Sequence, residues 1–295
     1  MATPTANLAR LGEILKFLVR YRTAGVFTGL DLDASVLGED DLPAGSADPE
    51  DFVRDLEALG PTFVKIGQAL STRPDMVPAP YLAALERMQD RVETVPFEAI
   101  RTVVEDELGV RLARAFAEFD EAPLGSASLA QVHRARLRDG REVAVKVQRP
   151  GIVEGIRGDL DLLQGIAARA DRYTDLGHRV GFAEWVHEFR RTLLAELDYR
   201  LEADNLERFG ALLAGYRELV VPQPVRDLTR GRVLTMDRID GVKATEIGGL
   251  RRTEQQFGRL AAVLTRAYLD QVFVHGEIHA DPHPGNVLVT ADGRL

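Results

Sequence analysis

Apolar residues recur at helical spacing near the start of the chain. Between residues 8 and 21 they lie three or four positions apart, on one face of a helix, with basic residues among them. Such a face has two uses. A basic amphipathic helix can lie on an anionic membrane surface, or its apolar side can pack against the rest of the protein. The second use is the more common, and we favour it here.

The next pattern divides the chain into a linker and helices. Residues 34–50 are acidic and rich in Gly, Pro and Ser, as expected of a linker. Helical spacing then continues from about residue 50 to about residue 120, interrupted by prolines, and again from about 153 to about 215.

The hydrophobic period changes from helical to alternating between these two helical regions. Over residues 128–148, apolar and polar residues alternate on both sides of an Asp139-Gly140 turn, which predicts a β-hairpin. A short β segment at 231–241, a helix at 253–268 and an apolar strand at 287–289 follow. Helices and antiparallel strands in separate runs predict an α+β fold.

Composition narrows the class of protein. The chain is 45% hydrophobic and 28% charged, which is typical of a globular protein, and its formal charge of −9 argues against nucleic acid as a partner. The absence of cysteine excludes disulfides, zinc-thiolate sites and cysteine nucleophiles. No secretory h-region precedes the first helix, and no apolar run approaches the roughly 18 residues of a membrane span, so we expect a cytoplasmic protein.

The first candidate motif is a small-residue loop before the hairpin. Gly125, Ala127, Ala130 and Val132 occupy the frame of the glycine-rich loop that covers nucleotide phosphates in kinases, with alanine at two glycine positions. Each Cβ restricts positive φ and keeps the backbone farther from a phosphate. Taken alone, the pattern also fits a simple turn.

The second motif places a lysine on an apolar strand. Residues 143–146 read V-A-V-K, similar to the kinase strand whose lysine contacts the α- and β-phosphates of ATP. Because a lone buried ammonium group is costly, Lys146 requires an anionic partner. Glu196, Asp198 and Glu202 lie in one segment that the pattern predicts to be helical, where they would share a broad face. A lysine at a strand edge and a solvated acidic face are the alternatives.

The third motif is a polar stretch, HGEIHADPHPGN, before the last strand. His279, Asp281 and Asn286 have the spacing of the kinase catalytic loop, in which the aspartate orients the attacking hydroxyl and the asparagine holds Mg²⁺. A metal-dependent hydrolase using His279, Asp281 and His283 is the competing hypothesis. It leaves Lys146 and the hairpin unexplained, so we prefer the kinase interpretation.

Taken together, these motifs resemble the UbiB/ABC1/ADCK (AarF) family of atypical protein-kinase-like proteins. The resemblance extends from about Gly60 to Val289, and its most specific mark is the K-x-G-Q motif formed by Lys65, Gly67 and Gln68. Pro61 and Pro74 fit the two ends of the helix that would carry this motif.

The resemblance implies an α+β, protein-kinase-like fold with an all-helical N-terminal extension carrying the K-x-G-Q motif. An N-terminal helix and linker would occupy residues 1–49 and the helical extension residues 50–115. The kinase-like N-lobe would occupy 116–240, and a partial C-lobe with the catalytic loop 241–295.

The resemblance also implies the site residues. ATP and Mg²⁺ would be the ligands, with Lys146 held by Glu202, Asp281 as catalytic aspartate, and Asn286 and Asp281 at the metal. Lys65 and Gln68 would cover the nucleotide pocket and limit the access of protein substrates. The implied nucleotide-binding residues are Gly125, Ser126, Ala127, Ser128, Val132, Ala144, Lys146, Met236, Glu196 and Asp198.

The family resemblance further implies an ATPase or small-molecule kinase that supports ubiquinone or other isoprenoid-lipid metabolism. Its partners would be an isoprenoid lipid or quinone precursor, an anionic membrane surface and lipid-biosynthesis enzymes, with the protein peripheral at the inner membrane. The D-F-G aspartate, a further Mg²⁺ ligand, would be expected shortly after Leu295. A pseudokinase that binds nucleotide and acts as a scaffold is the alternative within this family.

Overall fold

The structure, a computed structural model, describes most of the 295 residues. The described residues are 4–21, 48–88, 93–174, 178, 181–247, 257–280 and 284–295. Most of the linker predicted at 34–50 lies outside them. Its last residues are helical, since Asp48 caps a helix that begins at Pro49 and its side chain accepts a hydrogen bond from the Glu50 N–H at 2.7 Å.

Helices account for most of the described chain. They are α1 (Pro4–Arg20), α2 (Pro49–Leu59), α3 (Pro61–Ser71), α4 (Ala79–Glu86), α5 (Phe97–Leu108), α6 (Leu112–Ala115), α7 (Ile152–Tyr173), α8 (Phe182–Glu196), α9 (Tyr199–Leu212) and α10 (Phe257–Asp270). The strands are β1 (Glu118–Ser126), β2 (Ala130–Arg136), β3 (Glu142–Gln148), β4 (Val233–Asp237), β5 (Gly241–Lys243) and β6 (Leu288–Thr290). None of the described helices is long and apolar enough to cross a bilayer.

The chain forms two compact units. The first comprises residues 1–95, 126–130 and 149–197, and the second comprises residues 96–125, 131–148 and 198–295. The domain boundaries implied by the family resemblance stay a prediction.

The first unit is a helical assembly built around an aromatic cluster. Phe17 of α1 and Tyr21, directly after this helix, pack against Phe52 of α2, with ring centroids 5.4 Å and 4.9 Å from it. Phe63 of α3 and Tyr81 of α4 lie in the same core. From Ile14 onward the apolar face of α1 is therefore buried within the unit, as the packing interpretation of its sequence expects, whereas Leu8 near its start is exposed.

A charged network fastens α1 and α3 to α7. The guanidinium of Arg10 donates to both carboxylate oxygens of Asp159 at 2.8 and 2.9 Å, and the Thr62 hydroxyl donates to the same carboxylate at 2.7 Å. Arg10 also donates to the carbonyl of Leu59 at the end of α2. Because the Asp159 side chain is only 11% exposed, these donors compensate for most of its lost hydration.

The second unit contains a four-stranded sheet in the order β1-β2-β3-β4. The predicted hairpin is present as β2 and β3, and β3 pairs antiparallel with β4, with Lys146 opposite Leu234. The expectation that helix continues to about residue 120 is wrong at its end, because β1 begins at Glu118. This edge strand is polar and mostly exposed, so it lacks the alternation that identified β2 and β3.

A second, two-stranded sheet contains the predicted strand near residue 288. β6 pairs antiparallel with β5, with Val242 opposite Val289, so its partner comes from earlier in the chain. A turn follows β6, in which the Gly293 N–H donates to the carbonyl of Thr290 and Gly293 has a φ of 79°.

His133 is a fully buried polar residue on β2. Its Nδ1 lies 2.9 Å from the carbonyl oxygen of Asp120 and its Nε2 lies 3.3 Å from the side-chain nitrogen of Gln131. A carbonyl can only accept, so Nδ1 carries the proton and Nε2 accepts from Gln131. Both ring nitrogens are satisfied in the neutral imidazole, and burial lowers the pKa of His133.

Replacing Arg10 by methionine tests the charged network. Arg10→Met leaves the buried Asp159 carboxylate with the Thr62 hydroxyl alone, so we expect the free energy of unfolding in urea to fall by about 2–3 kcal/mol. Arg54→Met is the matched control, because the Arg54 side chain is 72% exposed and pairs with Asp51 on the surface. This control should change stability by less than about 0.5 kcal/mol. Equal losses in both variants would contradict the network.

The pH dependence of stability tests the state of His133. The unfolded chain binds a proton near the ordinary histidine pKa of 6.5, whereas the folded chain resists it until a lower pH. This contribution to stability is therefore fully present well above pH 6.5 and is lost as the pH falls through 6.5 toward the lower pKa of the folded state, by at most about 1.4 kcal/mol for each pH unit. His133→Gln should flatten this part of the curve, whereas His187→Gln, at an exposed histidine of α8, should leave it as steep as in the wild type.

Candidate functional site

Lys146 is carried by the third strand of the sheet. Val143, Val145 and Val147 are fully buried on one face of β3. Lys146 alternates with them and therefore lies on the other face. Its ammonium donates to both carboxylate oxygens of Glu202, at 2.9 and 2.7 Å. The buried valines therefore hold one face of β3 against the core, which leaves the Lys146 side chain on the opposite face of the strand.

Helix α9 supplies the partner of Lys146. The backbone N–H of the buried residue Tyr199 donates to the carbonyl of Gly231 at 3.0 Å, which anchors the start of the helix. The Lys146 ammonium lies 4.8 Å from the centre of the Tyr199 ring, within range of a cation–π contact. The side chains of Lys146 and Glu202 are 27% and 35% exposed, so the pair is accessible to a ligand.

The prediction that Glu196, Asp198 and Glu202 share one helical face is wrong. Helix α8 ends at Glu196, and Asp198 caps α9 by accepting a hydrogen bond from the Arg200 N–H. Each acid therefore has a different partner. An aspartate directly before a new helical run is a strong N-cap signal and marks this break in the sequence.

Asp198 is held by its near neighbour. The guanidinium of Arg200 donates to its two oxygens at 2.8 and 2.7 Å, and this contact lowers the pKa of the Asp198 carboxyl. Asp198 thus remains an anion that stabilises the first turn of α9. Its implied contact with nucleotide stays a prediction.

The K-x-G-Q motif lies on α3 in the first unit. The Lys65 ammonium contacts the Glu196 carboxylate of α8 at 2.5 Å. A Cβ at Gly67 would lie 2.8 Å from the Met88 methyl and 3.2 Å from Leu56, so glycine allows α3 to approach its neighbours closely. Gln68 is partly buried, and its backbone carbonyl accepts a hydrogen bond from the Ser71 hydroxyl. The covering role implied for Lys65 and Gln68 stays a prediction.

The small-residue loop is a tight turn that alanine can adopt. The Ala127 N–H donates to the carbonyl of Ala130 at 2.8 Å, and Ser128 is buried. No residue from 125 to 130 has a positive φ, and a Cβ at Gly125 would meet open space. The loop therefore needs none of the conformational freedom that glycine provides in kinases.

Arg149, which belongs to none of the sequence motifs, also lies in the first unit and holds this loop by hydrogen bonds. Its guanidinium donates to the carbonyl of Ala127 at 2.8 Å and to the Ser126 hydroxyl at 2.7 Å. Its backbone N–H donates to the carbonyl of Leu129 at 3.0 Å. The only sequence signal was a basic residue directly after β3.

Other implied nucleotide-binding residues lie on the sheet. Ala144 of β3 and Met236 of β4 are opposite each other in the antiparallel register. Val132 is half-buried on β2. Apolar residues on a sheet can contact the flat face of a base, but this role also stays a prediction.

The polar stretch before β6 is described only in part, and Asp281 and His283 lie outside the described residues. The His279 N–H donates to the side-chain oxygen of buried Gln271 at 2.9 Å. Asn286 is exposed at the end of the short 3₁₀ helix Pro284–Asn286, just before β6. Its amide oxygen is a ligand type that Mg²⁺ accepts. Within the described ranges, no three histidine or carboxylate side chains converge to hold a metal.

The fold and these motifs define an atypical kinase-like protein, and comparisons with known proteins agree. The model of the ABC1 atypical kinase-like domain matches residues 87–295. The chain belongs to this family, the UbiB/ABC1/ADCK family that the motifs resemble.

Relatives support the same assignment. The chain is 39% identical over 288 residues to a probable protein kinase UbiB of Cellvibrio japonicus, covering 95% of this chain and 51% of that protein. It is 40% identical over 238 residues to the chloroplastic protein ACTIVITY OF BC1 COMPLEX KINASE 3 of Arabidopsis thaliana, covering 80% of this chain and 33% of that protein. The chain thus spans about half of the first relative and about a third of the second.

A solved structure confirms the fold class. In the solved complex of Rv3197 from Mycobacterium tuberculosis with erythromycin, the matched part covers 81% of this chain and 60% of the Rv3197 chain. The TM-score is 0.58 and the sequence identity is 33%. The predicted α+β, kinase-like fold with N-terminal helices is therefore confirmed.

A double-mutant cycle tests the pair between Lys146 and Glu202. Because both groups are partly exposed, we expect the Lys146→Met and Glu202→Gln changes to couple by about 1 kcal/mol in the free energy of unfolding. The matched control replaces Lys146→Met by Lys243→Met, at an exposed lysine of β5, and should show coupling near zero. Additive effects of the first two changes would show that the pair does not form in solution.

Proposed function

We propose that this chain forms part of a UbiB-type atypical kinase or ATPase that binds ATP together with Mg²⁺. The observation that carries the proposal is the bidentate contact between Lys146 on a buried strand and Glu202 on α9. This lysine–glutamate pair is the arrangement by which kinases hold the α- and β-phosphates.

Each chain residue has a defined task in this proposal. Lys146 neutralises phosphate charge, and Glu202 keeps its ammonium in place so that little rearrangement is needed when nucleotide binds. Asp281 orients the attacking hydroxyl, from water in an ATPase or from a small molecule in a kinase, and accepts its proton. Asn286, with Asp281, would hold Mg²⁺, which supplies positive charge beside the phosphate oxygens.

The proposed biological role is support of ubiquinone or other isoprenoid-lipid metabolism by a cytoplasmic protein at the inner membrane surface. The support for it is the UbiB name of a relative that matches nearly all of this chain. An isoprenoid lipid or quinone precursor, an anionic membrane surface and lipid-biosynthesis enzymes are the proposed partners. Nucleic acid is not proposed as a partner, because the formal charge is −9.

One observation favours a second candidate, a nucleotide-binding scaffold without turnover. The Ala127 N–H is already bonded to the carbonyl of Ala130, so this amide is not offered to a phosphate. A loop that holds phosphates loosely would retain binding while catalysing slowly. Turnover by the full-length protein, with and without anionic liposomes, distinguishes the two candidates.

Replacing Lys146 in the full-length protein tests nucleotide binding. Lys146→Met removes the charge proposed to face the phosphates, so we expect MgATP affinity, measured by titration calorimetry, to fall by about a hundredfold. Lys243→Met serves as the control and should bind as the wild type does. Thermal melting should remain cooperative in both variants. Undiminished MgATP affinity in Lys146→Met would overturn the proposal.

A further inference from the structure

Arg149 contacts two separate segments of the first unit through one guanidinium. It donates to the Ala127 carbonyl at 2.8 Å and the Ser126 hydroxyl at 2.7 Å within the loop. It also donates to the Glu93 carbonyl at 2.7 Å, in the segment that follows α4. A planar fork of five donors can bond several acceptors in fixed directions, which a lysine cannot do.

The backbone fixes Arg149 as firmly as its side chain does. Its N–H donates to the carbonyl of Leu129, and its own carbonyl accepts from the N–H of Ile152 at the start of α7. The residue is partly buried, so its side chain is held among its neighbours. The backbone of Arg149 is therefore held in place, and its side chain in turn holds the loop.

The bonds of Arg149 act on the part of the loop that makes the turn. Ser126 is the last residue of β1 and Ala130 is the first of β2, so three residues reverse the chain. The Ala127 N–H closes this turn on Ala130, while its carbonyl is held by Arg149. Both polar groups of the Ala127 backbone are thus bonded, and the turn is ordered before any ligand arrives.

We infer that Arg149 is a positioning residue that keeps the alanine-bearing loop ordered for nucleotide binding. The effect on nucleotide binding rests on the proposed function. The hydrogen bonds between Arg149 and the loop do not depend on it. Without the guanidinium, the loop would sample open conformations, and a nucleotide would have to order it on binding. Affinity would fall although the nucleotide loses no proposed contact with Arg149.

The test compares variants of the full-length protein by hydrogen exchange of the peptide spanning residues 123–131. In the absence of nucleotide, Arg149→Met should speed exchange in this peptide by about tenfold, since the Ala127 amide loses its closed turn. Arg149→Lys retains a charge and fewer directed donors, so it should lie between. Arg169→Met is the matched control, because among the described residues the exposed Arg169 side chain donates only to the Gly165 carbonyl of its own helix. Hydrogen exchange of the 123–131 peptide in this variant should equal that of the wild type.

The same variants are then titrated with MgATP. We expect Arg149→Met to bind about tenfold more weakly and Arg149→Lys about threefold more weakly, in the order of their loop exchange rates. If Arg149→Met fails to fold, Arg149→Lys decides the question with the same two measurements. Unchanged loop exchange, or exchange that rises equally throughout the protein, would overturn the inference.

The two measurements separate this inference from the proposed function. A wild-type protein that binds no MgATP would refute the proposed function and, with it, the link of Arg149 to nucleotide. Loop exchange would still decide whether Arg149 orders the turn. Faster loop exchange with unchanged MgATP affinity would refute the positioning role alone.

Discussion

The contact between Lys146 and Glu202 joins two elements whose residues are 56 positions apart in sequence. An ammonium on a strand with three fully buried valines needs an anion, because its own hydration is partly lost. The carboxylate of α9 meets this need, and the buried Tyr199 at the start of that helix fixes the distance. The pair thus depends on the register of β3, which carries Lys146, and on the start of α9 at Tyr199, which places Glu202 in its first turn.

The first unit also contains two ion pairs that join helices distant in the sequence. Lys65 meets Glu196 across 131 positions, and Arg10 meets Asp159 across 149. Each pair joins helices that are distant in the chain, and each acts in addition to an apolar core that supplies most of the stability. The net contribution of such a pair to the free energy of folding is modest, although removing one partner of a buried pair costs more, because the other charge is left unpaired.

Local patterns predicted the elements whose own sequence carries a period. The β2–β3 hairpin follows from alternation around an Asp-Gly turn, and α3 begins at its proline as expected. The pattern failed at β1, where a polar edge strand has no buried face to alternate with. It also failed at Asp198, where helical spacing on both sides concealed a cap and a change of helix.

The sequence by itself determined the class of the fold, the strand that carries Lys146 and the motifs that identify the family. The residue spacing alone left three carboxylates as partners for that lysine, because spacing within a helix cannot specify which distant residue a side chain will meet, and the family resemblance then implied Glu202. The tertiary structure shows Glu202 on Lys146, as the resemblance implied, and it alone gave Glu196 to Lys65 and Asp198 to the cap of α9. It also revealed Arg149 at the loop, since a guanidinium that bonds carbonyl groups leaves no pattern in the chain.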